Sequence, residues 1–270
     1  MAPTTDTETD MPKLAANLTM LFNEHAFLDR FEAAARAGFR GVEFLFPYAF
    51  HADHIADRLN RFQLDLVLHN LPAGNWDSGE RGIAVLPDRV GEFQDGVGEA
   101  IQYARVLGVR QLNCLVGIRP PSVSEDIAHR TLVDNLKFAA QALAAEKIDL
   151  LIEPINTFDI PGFYLNRTQQ ALDLIADVGA DNLFVQYDIY HMQRMEGEVA
   201  NTLRRHLDQI RHVQLADNPG RNEPGTGEIN YQFLFRWLDE IGYGGWVGCE
   251  YKPKAGTVEG LGWRTVYKVA

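Results

Sequence analysis

The chain has 270 residues, 46% of them hydrophobic, and carries a formal net charge of −12 at pH 7. That length suits one large α/β barrel or two modest domains, and it is enough to bury a full core. A surface this acidic repels phosphate backbones and anionic lipid, and no run of Lys and Arg offsets the charge. The composition therefore argues against a nucleic-acid partner.

We expect neither a membrane-spanning helix nor a signal peptide. No segment approaches the roughly 20 apolar residues that a membrane-spanning helix needs. Segment 1–12 is rich in Thr and acidic residues and lacks the apolar region of a signal peptide, so we expect a disordered tail before a single domain over 13–270. Cys114 and Cys249 lack zinc-ligand spacing, and we expect buried reduced thiols in a cytoplasmic protein.

Strand-like and helix-like patterns alternate along this domain. The predicted strands cover 14–19, 41–46, 64–68, 111–116, 150–153, 182–187, 210–215 and 245–250. The predicted helices cover 26–37, 53–61, 92–107, 124–146, 198–208 and 231–241, with one more that is capped by Asn166 or Thr168 and runs to 178. Ser124 and Asn230 are the expected N-caps of the helices that follow them.

Eight strands that alternate strictly with seven or eight helices predict a single (β/α)₈ TIM barrel, with its active site at the carboxyl ends of the strands. A doubly wound open sheet is the alternative. It is disfavoured because neither a G-x-G-x-x-G turn nor a G-x-x-x-x-G-K-[ST] turn is present. The connection over 71–88 is longer than most loops in compact domains, and loops of that length are often functional.

Four oxygen-bearing side chains stand where four consecutive strands end. Glu153 follows an apolar segment and precedes a proline, and the next three strands run into Asp188, Gln214 and Glu250. Because the ends of neighbouring barrel strands share one rim, these side chains should converge. A single acid at a strand end is more often a helix cap or part of a rim salt bridge, but four donors in succession favour a metal site.

Three converging carboxylates would raise one another's pKa unless a cation lies among them. Oxygen ligands without thiolate favour Mg²⁺ or Mn²⁺ over Zn²⁺. A metal that polarises a carbonyl makes the adjacent C–H acidic, and Glu153 and Glu250 could remove that proton and return it to the neighbouring carbon. His191, three residues after Asp188, is a candidate to hydrogen-bond a substrate oxygen, although a lone histidine is more often structural.

Nearly all of the chain after the tail resembles the hydroxypyruvate isomerase family, within the sugar isomerase/epimerase-like TIM barrels that also include endonuclease IV. The segments that carry the resemblance are ANLTMLF (16–22), GFRGVEF (38–44), HNLPAG (69–74), GERGIA (79–84), LIEPIN (151–156), QYDIYHMQ (186–193), EPGTGEIN (223–230) and GCEYKP (248–253). Together they are highly specific, whereas any one of them alone would be weak.

The resemblance implies interconversion of hydroxypyruvate and tartronate semialdehyde, an aldose–ketose type isomerisation. It implies Glu153 and Glu250 as the acid/base pair, and it adds Asp188 and Gln214 to them as metal ligands. Epimerase relatives carry histidine where Gln214 stands, which separates this branch from sugar 3-epimerases. The same family includes 2-oxo-tetronate isomerases, whose substrate is one carbon longer.

Either substrate carries a carboxylate, which calls for a cation in the pocket. Arg81 in the loop after the third strand, Lys252 just past Glu250, and His69 are the candidates. A surface salt bridge is the alternative for Arg81 and Lys252, and a structural role is the alternative for His69.

Two further function classes compete with a metal-assisted isomerase of a small hydroxy-oxo acid. An endonuclease IV-like phosphodiesterase would need a histidine-rich zinc site and a basic groove, and both Gln214 and the net charge argue against it. A non-catalytic sugar-binding barrel would not need both Glu153 and Glu250. The sequence leaves the oligomeric state open, including a homo-oligomer.

Overall fold

Eight parallel strands close into a barrel in chain order in the computed structural model, which describes residues 12–269. The strands are β1 (Lys13–Asn17), β2 (Gly41–Glu43), β3 (Asp65–Asn70), β4 (Gln111–Cys114), β5 (Asp149–Ile152), β6 (Leu183–Asp188), β7 (Ile210–Leu215) and β8 (Trp246–Cys249). This confirms the predicted (β/α)₈ TIM barrel. The predicted tail over 1–12 lies outside the described residues except for Pro12.

Helices cover the outside of the barrel. They are α1 (Phe27–Arg36), α2 (Ala52–Phe62), α3 (Val90–Leu107), α4 (Glu125–Ala145), α5 (Thr168–Val178), α6 (Ile189–Met195), α7 (Val199–Arg205), α8 (Tyr231–Glu240) and α9 (Gly262–Tyr267). Each longer helix buries one apolar face against the strands, as Ile55 and Leu59 do in α2 at a spacing of four residues. Among the described residues no helix is long and apolar enough to cross a membrane.

Two of the predicted N-caps are confirmed. The Ser124 hydroxyl accepts a hydrogen bond from the Ile127 amide at 3.4 Å, and the Asn230 side chain accepts one from the Phe233 amide at 3.1 Å. Both satisfy an amide that the first turn of the helix leaves unpaired.

The predicted cap of α5 is wrong. Arg167 occupies the N-cap position without a side-chain cap bond, and Thr168 is already the first helical residue. The acceptor is the Glu196 carboxylate, which receives hydrogen bonds from the Thr168 amide at 2.7 Å and the Thr168 hydroxyl at 2.8 Å. A contact across 28 residues replaces the local cap, and a local sequence pattern does not reveal it.

The sequence did not predict α6 and α9. Helix α6 begins directly at the end of β6, where the Asp188 carboxylate caps it by accepting from the Tyr190 amide at 2.8 Å. Its first four residues are all buried, so the segment lacks the alternation of apolar and polar residues that marks a surface helix. The chain therefore passes from strand to helix without a loop, which places the first turn of α6 beside the strand ends.

His69 occupies a fully buried position in β3. Its ring stacks on Phe44 with centroids 6.3 Å apart, its Nδ1 lies 3.1 Å from the Asn70 carbonyl oxygen, and its Nε2 has no hydrogen-bond partner. Burial lowers the pKa of His69 to about 4, because the charged imidazolium loses its hydration there. The folded protein thus holds this histidine neutral over a range in which the unfolded chain protonates it.

We predict that this histidine makes the protein acid-sensitive. Below pH 6.5 the imidazole of His69 gains a proton in the unfolded chain, whereas in the folded chain it stays neutral down to about pH 4. The free energy of unfolding therefore decreases by about 1.4 kcal/mol for each unit by which the pH is lowered in that window. Urea unfolding of the wild type and His69→Gln between pH 4 and 7 measures the difference in slope. Equal slopes for the two proteins would contradict the assignment, whatever their absolute stabilities.

A buried carboxylate cluster at the barrel rim

The barrel brings together the four side chains predicted from the strand ends. Asp188 is the last residue of β6 and pairs in register with Gln214 of β7, which in turn pairs with Gly248 of β8. Glu153 follows β5 directly and Glu250 follows β8. All four side chains are buried, so the parallel register delivers three carboxylates and one amide to the same water-poor end of the barrel.

His191, on the first turn of α6, joins this cluster. Its Nε2 lies 3.7 Å from Glu153 Oε1 and 3.5 Å from Asp188 Oδ2. Glu153, Asp188, His191 and Glu250 offer ligand atoms that all lie within 4.8 Å of one another, so this group could hold a metal ion.

Asn156 fixes the tautomer of His191. Its Oδ1 accepts from the amides of Phe158 at 3.1 Å and Asp159 at 2.8 Å, so its amino group must face the imidazole. That amino group lies 2.6 Å from His191 Nδ1, which therefore accepts. The pKa of His191 is lowered by burial and by the nearby arginines, so the ring is neutral and its proton sits on Nε2. His191 thus points a donor at the carboxylates.

The three carboxylates make the cluster electrostatically costly. Burial first, and then the charges of Glu250 and Asp188, raise the pKa of Glu153 well above its usual range. Burial raises the pKa of Glu250 to about 8 and that of Asp188 to about 6, although Arg221 opposes both shifts. Glu153 Oε1 and Asp188 Oδ2 are buried without a hydrogen-bond partner. Unpaired buried oxygens of this kind are the donor set that a hard divalent cation requires.

Buried hydrogen bonds orient Glu153 and Gln214. Asn113 donates to Glu153 Oε2 at 3.2 Å, which leaves Oε1 facing the cluster. Gln214 donates from Nε2 to the buried Glu43 carboxylate at 2.7 Å, and its Oε1 accepts from Gln186 at 2.6 Å. The Glu43 contact orients the Gln214 amide, because only an N–H group can face a carboxylate at that distance.

Arg221 is the site residue that the sequence analysis missed. Its side chain is largely buried, with 17% of its surface exposed; Nη2 lies 2.9 Å from Glu250 Oε2 and 3.9 Å from Asp188 Oδ2, and Nη1 lies 3.9 Å from Asp159 Oδ2. The signal that could have identified it is its position as the only basic residue in segment 217–229, next to the EPGTGEIN motif.

A small cavity of about 90 Å³ opens onto the cluster. Its polar lining includes Glu153, Gln186, His191, Gln214, Arg221 and Glu250, and its apolar lining includes Met20, Phe44, Leu45, Trp76, Leu115, Ile155 and Ile160. A cavity of this size, with one charged and one apolar side, suits a small polar molecule rather than a polymer.

The three predicted substrate cations lie outside the residues that line this cavity. The Arg81 side chain donates to the carbonyl oxygens of Trp76 and Glu80 and lies over the ring of Trp76, a residue that lines the cavity, at 4.1 Å. Lys252 is exposed, and its backbone amide donates to the Arg221 carbonyl oxygen at 2.8 Å. His69 packs against Phe44, which lines the cavity. None of the three joins the carboxylates directly.

Comparisons with known proteins identify the family of the chain. The model of the xylose isomerase-like TIM barrel family matches residues 31–265. The chain is 57% identical over 258 residues to the hydroxypyruvate isomerase of Escherichia coli K12, covering 96% of this chain and 100% of that protein. It is 49% identical over 257 residues to the 2-oxo-tetronate isomerase of Cupriavidus necator H16, covering 95% of this chain and 99% of that protein.

Among solved structures, a Brucella melitensis protein described as an AP endonuclease of family 2 superposes with a TM-score of 0.93. The two are 44% identical, with 95% of this chain and 99% of that chain covered. The chain belongs to the xylose isomerase-like TIM-barrel family, resembles its hydroxypyruvate isomerase members over nearly its whole length, and is an isomerase.

Proposed function

We propose that this protein is a metal-assisted isomerase that interconverts hydroxypyruvate and 2-hydroxy-3-oxopropanoate. The observation that carries the proposal is the convergence of Glu153, Asp188 and Glu250 in one buried cluster, of which Glu153 and Glu250 line a small cavity. The 57% identity to a hydroxypyruvate isomerase over the whole chain supports the substrate.

Glu153, Asp188, Gln214 and Glu250 would hold the ion, and their oxygen donors favour Mg²⁺ or Mn²⁺. The unpaired buried oxygens of Glu153 and Asp188 support this assignment. When bound, the ion supplies Lewis acidity that makes the hydrogens beside the substrate carbonyl more acidic.

Glu153 and Glu250 are the proposed acid/base pair. One carboxylate removes a proton from C3 of hydroxypyruvate to give an enediolate, the hydroxyl proton moves from O3 to O2, and a proton returns to C2, so that the carbonyl shifts between adjacent carbons without a net redox change. Asn113 holds one oxygen of Glu153 and Arg221 holds one oxygen of Glu250. Each glutamate therefore keeps one oxygen fixed while the other remains available.

His191 is the proposed donor to a substrate oxygen. Its Nε2 proton faces the cavity because Asn156 occupies Nδ1. A neutral donor stabilises negative charge that develops on an enediolate oxygen without giving up its own proton.

Arg221 is the proposed partner of the substrate carboxylate. It is the basic side chain that lines the cavity, and a guanidinium matches a carboxylate in geometry. Arg81, Lys252 and His69 remain predicted contributors to substrate binding. Since none of them lines the cavity, we expect them to act less directly.

The second candidate is 2-oxo-tetronate isomerisation, which the 49% identity to a 2-oxo-tetronate isomerase favours. Both reactions use the same acid/base pair and differ only in the length of the substrate. The oligomeric state, including a homo-oligomer, is a separate proposal that analytical ultracentrifugation tests.

Proton NMR of each substrate incubated with the protein is the direct test of the reaction. We expect conversion of hydroxypyruvate, loss of this activity after treatment with EDTA, and recovery of the activity with Mg²⁺ or Mn²⁺.

Titration calorimetry of the EDTA-treated protein, after removal of the chelator, should give one Mn²⁺ per chain. The affinity for Mn²⁺ should be at least about tenfold weaker in Asp188→Asn and unchanged in the exposed Asp181→Asn. Full turnover of the EDTA-treated protein would contradict the metal proposal, and faster conversion of 2-oxo-tetronate would favour the second candidate.

Glutamine in place of either glutamate should lower turnover at least about 10²-fold, because the side chain no longer exchanges a proton. In D₂O one of the variants Glu153→Gln and Glu250→Gln should retain exchange of the C3 hydrogen with solvent while it loses product formation. That variant still has the base, so the residue replaced in the other variant is the base. The exposed Glu240→Gln is the matched control. Wild-type turnover in either site variant would remove that residue from the mechanism.

Arg221→Ala should raise KM about 10- to 100-fold, as expected for the loss of a charge-assisted pair with the substrate carboxylate. Arg81→Ala and Lys252→Ala, measured in parallel, should change KM less. A KM that responds to Arg81 or Lys252 but not to Arg221 would transfer the carboxylate-binding role to that residue.

A further inference from the structure

Segment 217–229, between β7 and α8, carries Arg221 into the cavity without any helix or strand to support it. Arg221 has a φ of +55°, in the left-handed region that residues other than glycine seldom adopt. An arginine held in this conformation, with its guanidinium buried among carboxylates, needs a loop whose path is imposed from elsewhere.

Asp217 supplies that constraint. Its Oδ1 accepts from the amides of Asn218 at 2.9 Å and Ile229 at 3.1 Å. Its Oδ2 accepts from the amides of Gly225 at 2.8 Å and Gly227 at 2.9 Å. One buried carboxylate thus joins both ends of the loop and its glycine turn through four backbone N–H groups.

The geometry around Asp217 suits a carboxylate and no other common side chain. Four acceptor sites on two oxygens match four donors, whereas an asparagine would turn an N–H₂ group toward two backbone N–H groups. The loop also packs closely on Asp217, because a Cβ at Gly227 would lie 2.7 Å from its Oδ1 and 1.9 Å from the Asn218 carbonyl oxygen. The loop therefore has little room to take another path.

We propose that Asp217 is a positioning residue for the reaction, which acts by holding the loop that presents Arg221 to the cavity. Asp217 does not line the cavity, so its effect on catalysis passes through the arginine. The Arg221 end of the loop is tied down separately, by the hydrogen bond from the Lys252 amide to the Arg221 carbonyl oxygen. The inference rests on the proposed substrate-binding role of Arg221.

A double-mutant cycle on the metal-loaded protein tests this link. Asp217→Asn should lower kcat/KM about tenfold in the wild-type background and less than about twofold in the Arg221→Ala background. Glu228→Gln is the matched control, because it removes one negative charge from the same loop. The Glu228 side chain is exposed, and its Oε1 accepts a hydrogen bond from the side-chain Nδ2 of Asn218. That control should retain wild-type kcat/KM.

Hydrogen exchange separates positioning from general loss of structure. In Asp217→Asn the amides of segment 221–229 should lose protection while peptides from β5 and β6 keep theirs. Should Asp217→Asn fail to fold, Gly227→Ala takes its place in the same cycle, because its Cβ forces the loop away from the carboxylate.

The outcomes distinguish the two proposals. If Arg221→Ala alone leaves kcat/KM unchanged, the proposed role of Arg221 fails and the inference fails with it. If Arg221→Ala is impaired but the effects of the two substitutions multiply, only the inference about Asp217 is overturned. Strong non-additivity together with local loss of protection supports it.

Discussion

Repulsion among three carboxylates at one dry edge of the barrel is the constraint on which the rest of the site depends. Glu153, Asp188 and Glu250 are each raised in pKa, with burial as the first cause. Left without a cation, such a cluster would protonate and lose its function as a proton acceptor. Arg221 offsets part of the charge, and the unpaired oxygens leave a place for an ion of higher charge.

The hydrophobic core of the barrel offsets the electrostatic cost of this cluster. The apolar residues of β5 to β8 belong to the hydrophobic core, and their packing positions the strand ends. Asn113 then orients Glu153, and Glu43 and Gln186 orient Gln214, while Arg221 holds one oxygen of Glu250 and the Tyr190 amide donates to one oxygen of Asp188. The remaining atoms are free to bind and react, which is the preorganisation that catalysis requires.

The sequence was most informative where position follows from regular structure. Parallel strands end at one edge of a sheet, so apolar segments that run into Glu153, Asp188 and Glu250 were enough to predict a cluster. Arg221 escaped prediction because it lies in a loop without periodicity, and its direction depends on Asp217 and on contacts with distant elements. The α5 cap failed for the same reason, since Glu196 replaced the local side chain. Tertiary contacts of this kind leave no mark on local sequence patterns.

The most direct test of a single cation at the rim is anomalous diffraction at the manganese edge from crystals soaked with Mn²⁺. The account predicts one strong peak per chain, within coordination distance of oxygen atoms from Glu153, Asp188, Gln214 and Glu250. A map with no peak among these side chains, or with the ion bound only elsewhere on the protein, would contradict it.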